Sequence, residues 1–462
     1  MSRQPATRLQ LSGRRLLARR MMHALVRRDV AMFDDPLRAQ SISLALGGLL
    51  AALVLAAGVV VGLVRGTGVP DSAPIVMARE TGALYVRVGD ALHPVPNLAS
   101  ARLVARSAAD PVAAGQASIA DVKRGPLMGI PGAPAAIGET LRDPAWTVCD
   151  VDDRTIVAVG RSDVDHLDSS RPVLVTPRGE GAATTYLLYD GQRAAVDLRN
   201  IAVVRALRLD GVVPVSVSRA LLDVVPEVPA ITPPSIAGAG TPGPASLAGA
   251  TIGSVVSVGG ERFVVLRQGL QRVGEVAADL IRYAYDTGGR PPTSVAPTAV
   301  ATLPVADELA VGTYPRHAGT PVGAADGYAV CASWQPGGSA STSSNTVVAV
   351  GEAPFRDARQ ITVLAQGDGA GPAVDAVAIP GGASVYVRSA GILGDDGAGG
   401  ARFLVTDSGV VFGVHDDDTA KFLGLSDVSG IAPWPILANL PRGPELGVDA
   451  ASVVRDGLPT PS

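Results

Sequence analysis

The stretch AQSISLALGGLLAALVLAAGVVVGLV, from Ala39 to Val64, has 26 residues and no charged side chain. At about 1.5 Å per residue, a helix of this length would extend roughly 39 Å, enough to cross a hydrocarbon core of about 30 Å with some tilt. A cleaved signal peptide would have an apolar segment of only about 7–15 residues behind a short basic start. The stretch therefore predicts an uncleaved membrane-spanning helix over residues 39–64.

Charge is distributed unequally on the two sides of this helix. Residues 1–38 carry nine arginines and three aspartates, a net charge of +6, whereas the formal charge of the whole chain is −4. Because basic flanks stay in the cytoplasm, we expect a single-pass protein of the inner (plasma) membrane, with a cytoplasmic N-terminus and a periplasmic C-terminal body. The overall negative charge excludes a uniformly basic nucleic-acid-binding protein, so no nucleic-acid partner is expected.

The residues before the span predict a basic amphipathic arm over 1–38. Leu16, Leu17, Met21, Leu25 and Val26 are expected to share one helical face, with arginines on another. Such a helix would lie on anionic lipids or dock on a cytosolic partner, unless the basic flank serves only to orient the span. The arginines assigned to this arm are Arg14, Arg15, Arg19, Arg20, Arg27 and Arg28.

Small residues in the span form a candidate surface for packing between membrane helices. Gly58 and Gly62 form a GxxxG pattern, and Gly48, Ala52 and Ala56 recur every four residues. Small residues at this spacing allow two membrane helices to approach closely. The alternative is ordinary membrane-helix composition, in which Gly and Ala are common.

After residue 70 the sequence predicts an α+β, β-rich body. The chain of 462 residues is 18% charged and 4% aromatic, with 54 glycines and 36 prolines. Short β-branched runs bounded by Gly, Pro and Asp are typical of strands, and a few helical stretches such as Val276–Tyr285 intervene. Segments rich in Pro, Gly or small polar residues, at Pro226–Ala250, Arg290–Ala299 and Pro336–Asn345, are expected to be exposed loops or boundaries.

One pattern recurs four times in this body. Each copy has an apolar strand, a polar segment, a glycine and a second apolar stretch. The four copies are Leu84–Gly89, Thr185–Gly191, Phe263–Gly269 and Phe403–Gly409. The pattern predicts hairpins whose turn glycine has φ > 0. Unrelated hairpins are the alternative, but four matching copies favour a repeat protein.

The two cysteines, Cys149 and Cys331, both follow the span and lie on the predicted oxidising side of the membrane. Paired cysteines persist there as a disulfide, and two buried free thiols are the alternative. A bridge over so long a loop would constrain the unfolded chain by about 5 kcal/mol. It would join the segment before the second repeat to the segment after the third.

The sequence predicts no catalytic, cofactor or metal site. Neither of the two lysines, Lys123 and Lys421, follows a glycine, so the sequence contains no Gly-Lys-Ser/Thr phosphate loop. A G-x-G-x-x-G pattern over Gly238–Gly243 includes a proline that prevents the regular helix start needed to bind a pyrophosphate. The five histidines lack zinc-binding spacing, and two acidic clusters are typical of solvated turns.

Eight short segments, distributed over nearly the whole chain, carry a resemblance to a known family. They are Thr7–Gly13, His23–Asp29, Asp34–Ser41, Asn97–Leu103, Gly129–Pro134, Trp146–Asp150, Val330–Trp334 and Leu440–Leu446. With these segments in this order, the sequence resembles the EccB family, a membrane component of the type VII (ESX) secretion machinery of mycobacteria and related actinobacteria.

The resemblance implies one membrane helix, a cytosolic helix that contacts other subunits, and a periplasmic body of four repeats around a central domain held by one disulfide. Cys149 and Cys331 match the positions of that bridge. EccC (the motor ATPase), EccD and EccE are the implied partners, together with homo-oligomeric contacts through the repeats. Family members are often described as ATPases, and ATP is implied by that description alone.

We therefore predict a structural subunit of the ESX membrane complex that supports protein export, with an elongated periplasmic body. A periplasmic ATPase and a membrane-anchored cell-wall-binding module are the alternatives. The predicted domains are the arm (1–38), the span (39–64), repeat 1 (70–125), a first central-domain segment (126–180), repeat 2 (181–235), repeat 3 (250–300), a second central-domain segment (301–375), repeat 4 (376–450) and a tail (451–462).

Overall fold

The fold is described by a computed structural model. It covers residues 8–28, 36–64, 69–70, 72–160, 166–179, 184–247, 249–285, 291–337, 345–355, 359, 361–394, 399–425, 428 and 430–456. The chain divides into two compact units, residues 1–69 and residues 70–462.

The first unit contains two helices, α1 (Arg8–Arg27) and α2 (Pro36–Val64). Helix α2 begins at Pro36, whose fixed φ and missing N–H suit a first helical position. It contains the predicted span, and its Ser41–Val59 segment is long and apolar enough to cross a membrane.

The second unit contains four copies of one βββαβα arrangement, and the strands of a central sheet lie between repeats 1 and 2 and between repeats 3 and 4. Repeat 1 consists of β1 (Ile75–Ala78), β2 (Leu84–Val88), β3 (Ala91–Val95), α3 (Leu98–Ala105), β4 (Val112–Ala114) and α4 (Gln116–Ala120), and it is followed by β5 (Leu127–Met128), β6 (Glu139–Thr140), β7 (Trp146–Val151) and β8 (Arg154–Val159). Repeat 2 consists of β9 (Val173–Pro177), β10 (Tyr186–Tyr189), β11 (Gln192–Val196), α5 (Ile201–Ala206), β12 (Val215–Val217), α6 (Arg219–Asp223) and β13 (Glu227–Ile231), and repeat 3 of β14 (Val255–Val258), β15 (Glu261–Leu266), β16 (Gly269–Val273), α7 (Glu275–Tyr285), β17 (Thr293–Ser294) and α8 (Pro297–Val300). After β18 (Ala329–Gln335), β19 (Asn345–Gly351), β20 (Thr362–Val363) and β21 (Ala376–Ala378), repeat 4 consists of β22 (Ala383–Ala390), β23 (Arg402–Thr406), β24 (Val411–Gly413), α9 (Asp417–Leu423), β25 (Gly430–Pro433) and α10 (Trp434–Asn439), and the last elements are α11 (Val448–Ala451) and β26 (Val454–Arg455).

Each repeat has the same sheet topology. Its first three strands form an antiparallel meander, and its fourth strand pairs in parallel with the first, giving the orders β3-β2-β1-β4, β12-β9-β10-β11, β16-β15-β14-β17 and β24-β23-β22-β25. The longer helix supplies the crossover that a parallel pair requires. The four-repeat prediction is confirmed by this topology.

The predicted turn glycines occupy the second hairpin of every repeat. Gly89, Gly191, Gly269 and Gly409 all have positive φ, between 62° and 152°. A Cβ on Gly191 would lie 1.9 Å from the Thr346 carbonyl oxygen of the central sheet. Glycine is therefore needed at this position both for its backbone conformation and for the close approach of repeat 2 to the sheet.

A polar side chain caps the longer helix in three of the repeats. Asn97, Asn200 and Asp416 accept hydrogen bonds from backbone N–H groups in the first turns of α3, α5 and α9. Asn97 is buried and also donates from Nδ2 to the Ile130 carbonyl, 2.9 Å away. It thereby holds the Gly129–Pro134 segment against repeat 1.

This double role predicts unequal costs for two matched substitutions. Asn97→Ala should lower the free energy of unfolding by about 1–3 kcal/mol, because a helix cap is lost and a buried carbonyl loses its partner. Asn200→Ala removes only a cap at the equivalent position of repeat 2 and should cost about 1 kcal/mol. Chemical denaturation of both variants measures the difference, and equal costs would contradict the role assigned to Asn97.

The repeats pack in two pairs through their longer helices. Helix α3 of repeat 1 packs against α9 of repeat 4, where Leu103 and Leu423 are fully buried in one cluster. Helix α5 of repeat 2 packs against α7 of repeat 3, where Val203 and Leu280 are equally buried. Polar contacts support both pairs. Arg102 donates to the Leu423 carbonyl at the first interface, and Arg208 forms an ion pair with Glu275 at the second.

The central sheet has the order β19-β18-β7-β8-β21-β20 and is covered on both faces. Every residue of β7 is buried, as expected for a strand with no solvent-facing side. Trp146 and Trp334 lie opposite each other on β7 and β18 in the largest apolar cluster. Residues of repeats 2 and 4 belong to the same cluster, so these two repeats pack directly on the sheet.

Two predicted boundaries differ from the observed pairing. Strand β9 lies within the first predicted central-domain segment but forms the first strand of repeat 2. Strand β21 lies within predicted repeat 4 but pairs with β8 in the central sheet. Both errors arise because the repeated hairpin pattern begins at the second strand of a repeat and carries no signal for the first.

The segment Pro226–Ala250, predicted to be an exposed loop or boundary, lies between repeats 2 and 3 and is mostly exposed or half-buried, but parts of it are attached to the fold. Its start forms β13, parallel to β11. Farther along, Ile236 and Leu247 are buried against repeat 3. The Tyr285 hydroxyl donates to the Pro234 carbonyl and accepts from the Ile236 N–H. Composition indicated a linker here, but scattered apolar residues and backbone hydrogen bonds attach the segment to the fold.

Candidate functional site: the disulfide-linked central sheet and its surroundings

The two cysteines occupy directly opposed positions in the central sheet. Cys149 of β7 and Cys331 of β18 form a disulfide, with their Cα atoms 4.1 Å apart. Both residues are almost completely buried. The strands they link are separated in sequence by repeats 2 and 3, so the bridge closes a loop that contains both repeats. The predicted disulfide is present in the structure.

A buried ion pair lies beside the disulfide on the opposite face of β7. Arg178 Nη2 is 3.4 Å from Asp150 Oδ1, and the two side chains are only 6% and 3% exposed. Asp150 also accepts hydrogen bonds from the Ser218 N–H at 2.6 Å and the Thr155 hydroxyl at 2.7 Å. These contacts join the central sheet to repeat 2, because Ser218 precedes α6 and Arg178 follows β9.

Burial and hydrogen bonding shift the pKa of the Asp150 carboxyl in opposite directions. Desolvation raises the pKa of Asp150, while the hydrogen bonds from Ser218 and Thr155 and the Arg178 charge lower it, and the net direction is upward. Arg178 donates in addition to the carbonyls of Asp153 and Gly369. These contacts hold repeat 2 on the central sheet.

The predicted arm and span residues lie in the first unit. Arg14, Arg15 and Arg19 are exposed and Arg20 is half-buried, Arg28 follows α1, and the side chain of Arg27 lies outside the described residues. Leu17, Met21 and Leu25 are exposed and follow one another at intervals of four, so they form one row. Leu16 and Val26 are each one residue, about 100°, away from this row, so the apolar face is narrower than expected.

The small residues of the span are placed on α2. Gly48, Ala52, Ala56 and Gly58 are exposed within the first unit, as a membrane-facing or helix-facing surface requires. Gly62 also lies in α2, but its surroundings are outside the described residues. Packing of these residues against a second membrane helix stays a prediction.

A cavity of about 620 Å³ opens beside the β7–β8 turn. Its charged lining residues are Asp152, Arg154, Asp326 and Glu352, three carboxylates and one guanidinium. An acidic lining disfavours the phosphates of a free nucleoside triphosphate. Within the described ranges, no group of His, Cys, Asp and Glu side chains is arranged to hold a metal ion.

A second cavity of about 430 Å³ lies on repeat 4 and contains more basic side chains. Its cations are already engaged: Arg402 pairs with Asp417 at 2.8 Å, and Arg442 stacks over the Trp434 ring. The G-x-G-x-x-G segment forms turns packed on repeat 3, with Gly238 and Gly240 at positive φ. Among the described residues, neither place combines a phosphate-binding glycine loop with the start of a regular helix.

One pH-sensitive contact borders this second cavity. His415 Nδ1 lies 2.9 Å from Glu445 Oε1, and the carboxylate raises the pKa of the imidazole. Because the folded-state pKa is raised, the contact contributes its full stability below about pH 6.5 and loses it as the pH rises through the raised pKa.

We therefore expect His415→Gln to lower the melting temperature slightly at about pH 5.5 and to have less effect at about pH 8.5. Thermal unfolding of both proteins at the two pH values measures this difference. Glu445→Gln should reproduce the same pH dependence, since either substitution removes the charge pair. A larger effect at the higher pH would contradict the assignment.

A helix long enough to span a membrane, followed by four matching units and a disulfide-linked central sheet, defines a membrane-anchored repeat protein. A family profile described as "Type VII secretion system ESX-1, transport TM domain B" matches residues 3–460. The chain belongs to this family, the EccB family, as its sequence motifs predicted. One relative is the ESX-3 secretion system ATPase EccB3 of Mycolicibacterium smegmatis, 34% identical over 475 residues, which cover 98% of this chain and 92% of the relative.

Solved structures show the same fold. The chain is similar, at 28% identity and a TM-score of 0.73, to a chain in the structure of an intact ESX-5 inner membrane complex, with 100% of this chain and 98% of that chain covered. It is also similar, at 30% identity and a TM-score of 0.70, to a chain in the structure of the EccB3 dimer from the ESX-3 core complex, with 82% and 100% covered.

Proposed function

We propose that this chain is a structural subunit of a type VII (ESX) secretion membrane complex and supports protein export across the inner membrane. The observation that carries the proposal is the similarity of the entire chain, membrane helix included, to a subunit of an ESX-5 inner membrane complex. The fold agrees with a structural role, because its buried polar cluster and disulfide hold the repeats and the central sheet together.

The proposal includes an orientation and a set of partners. The basic residues before α2 favour a cytoplasmic N-terminus, which leaves residues 70–462 in the periplasm. A disulfide in this unit agrees with an oxidising compartment. The partners are EccC-, EccD- and EccE-type membrane subunits, together with a second copy of this chain, in keeping with a relative that was solved as a dimer.

The test is the composition of the complex that an affinity-tagged full chain retains in mild detergent. We expect the other ESX membrane subunits to co-elute with it in a fixed ratio. A matched variant that lacks only residues 1–35 keeps α2 and the body and should lose the subunits held on the cytoplasmic side. Recovery of the intact chain as a monomer without partners would overturn the proposal.

The basic arm is proposed to lie on anionic lipids wherever it is not covered by a partner. Arginines and the Leu17, Met21 and Leu25 row give α1 both charge and apolar surface. The full chain reconstituted in anionic vesicles should resist tryptic cleavage at Arg14–Arg20, whereas neutral vesicles should leave these sites cleavable. Equal cleavage in both vesicles would exclude this lipid contact.

Hydrolysis of ATP is assigned in this proposal to the EccC-type motor partner, although the relative from M. smegmatis is named an ATPase. The basis is the sequence, which has no Gly-Lys-Ser/Thr loop, and the acidic lining of the larger cavity. Phosphate release by the purified chain that tracks the protein through every purification step, and is abolished by Arg154→Ala, would contradict this assignment.

A further inference from the structure

One face of repeat 3 is built from chain segments without charge. Residues 228–260 and 291–306 contain no Asp, Glu, Lys, Arg or His. The two segments lie side by side because β14 pairs with β17. They enclose one apolar cluster, in which Leu247 and Val256 are buried and Ala299, Val300 and Leu303 are half-buried. We call the surface formed by residues 293–306 over this cluster the charge-free face.

The residues that form this face are exposed or half-buried, and none of them is buried. Val305 forms an isolated β-bridge with Leu270 of β16, and Val305 is 86% exposed. Asp307 and Glu308 follow the face directly in sequence, and Glu261 and Arg272 on the neighbouring strands pair with each other at 2.7 Å. An exposed, uncharged and partly apolar face of this kind marks an interaction surface.

The other repeats show how unusual Val305 is. In repeat 1 the equivalent residue, paired with β3, is Arg124, and in repeat 4 the equivalent residue, paired with β24, is Arg442. The same side of repeat 1 also carries the Asp90–Lys123 ion pair. Repeat 3 therefore presents an apolar side chain where two equivalent repeats present a guanidinium.

In repeats 2 and 4, the equivalent face is already used for packing. Helices α6 and α10 contact each other, and Leu221, Leu222, Ile436 and Leu437 are buried in the largest core cluster. Helix α8 is the equivalent helix of repeat 3, and all four of its residues are exposed or half-buried. This type of face is therefore buried in repeats 2 and 4, whereas it is open in repeat 3 and largely open in repeat 1.

We propose that the charge-free face of repeat 3 binds the same face of a second copy of this chain. A two-fold interface places each patch against itself, so any net charge in the patch would meet the same charge. The chain after residue 38 carries a net charge of −10, so two copies repel each other as wholes. A face without charge avoids this repulsion. The inference rests on the self-association proposed above and names the surface that mediates it.

The experiment compares full chains in mild detergent by light scattering and in membranes by cross-linking. Val305→Arg introduces the residue found at the equivalent position of repeats 1 and 4, and it should weaken self-association at least tenfold. Val363→Arg is the matched control, since Val363 is 73% exposed on β20 of the central sheet, and it should leave self-association unchanged. An unchanged melting temperature confirms that each variant is folded.

Cross-linking identifies the occupant directly. Both native cysteines are in the disulfide, so Val305→Cys adds a single free thiol, which a short bis-maleimide should link to the same residue of a second copy. Val363→Cys should give no such product. A dimeric wild type whose Val305→Arg variant stays dimeric, or a Val305→Cys adduct with a different protein, would overturn the inference alone. A wild type without self-association would overturn the proposed self-association as well.

Discussion

Replacing both Cys149 and Cys331 by alanine is expected to lower the free energy of unfolding of the 70–462 unit by about 3–5 kcal/mol. The bridge joins opposed residues of β7 and β18 that are 182 positions apart. A loop of this length loses much conformational entropy when it is closed in the unfolded chain. Chemical denaturation under identical conditions, with native disulfide confirmed in the wild type, measures the loss.

The neighbouring cross-strand pair is the matched control. Thr147 and Ser333 are paired on the same two strands, two residues from the cysteines and on the same face of the sheet. Their hydroxyl oxygens are 2.8 Å apart. Replacing them with Val and Ala removes one hydrogen bond and should cost about 1 kcal/mol. If the cysteine pair cost no more than this control, the bridge would not be the main restraint on the central sheet.

Asp150→Ala is expected to lower the free energy of unfolding by about 3–5 kcal/mol, because it leaves the Arg178 guanidinium buried without a counter-charge. The double substitution Asp150→Leu with Arg178→Met replaces the pair by apolar side chains and should recover most of the loss. A double-mutant cycle by denaturant unfolding measures the coupling between the two residues. Additive effects would show that the pair does not act as a unit.

A matched substitution separates the charge from the hydrogen bonds. Asp150→Asn keeps nearly the same shape but cannot neutralise Arg178, so it should remain strongly destabilising. Thr155→Val removes one hydrogen bond to the carboxylate and should cost about 1–3 kcal/mol. If Asp150→Asn were neutral, the ion pair would contribute little and the hydrogen bonds would account for the attachment of repeat 2.

Local signals in the sequence were sufficient for the span, the hairpins and the number of repeats. The span lacks charge over its whole length, and each hairpin has a glycine that the turn requires. The disulfide could be predicted because only two cysteines exist and both follow the span. Each of these features depends on a few neighbouring residues or on one count.

Features that depend on distant segments were not predictable. No sequence motif connects Asp150 with Arg178. Only the docking of β9 and α6 on the central sheet brings the two residues together. The helix pairs α3–α9 and α5–α7 join segments that are hundreds or tens of residues apart. The Pro226–Ala250 segment was predicted to be a linker because composition does not reveal that Ile236 and Leu247 are buried in the fold.

The way the central sheet is interleaved with the repeats constrains the order in which the chain can fold. Each repeat closes over roughly 50–60 consecutive residues and can form as soon as those residues are available. Strands β7 and β8 can pair with β18 and β21 only after those later strands exist, and β26 pairs with β5, which lies more than 300 residues earlier in the chain. Such non-local pairing is slow. The repeats should therefore acquire structure first, with the central sheet as the last and rate-limiting step of folding.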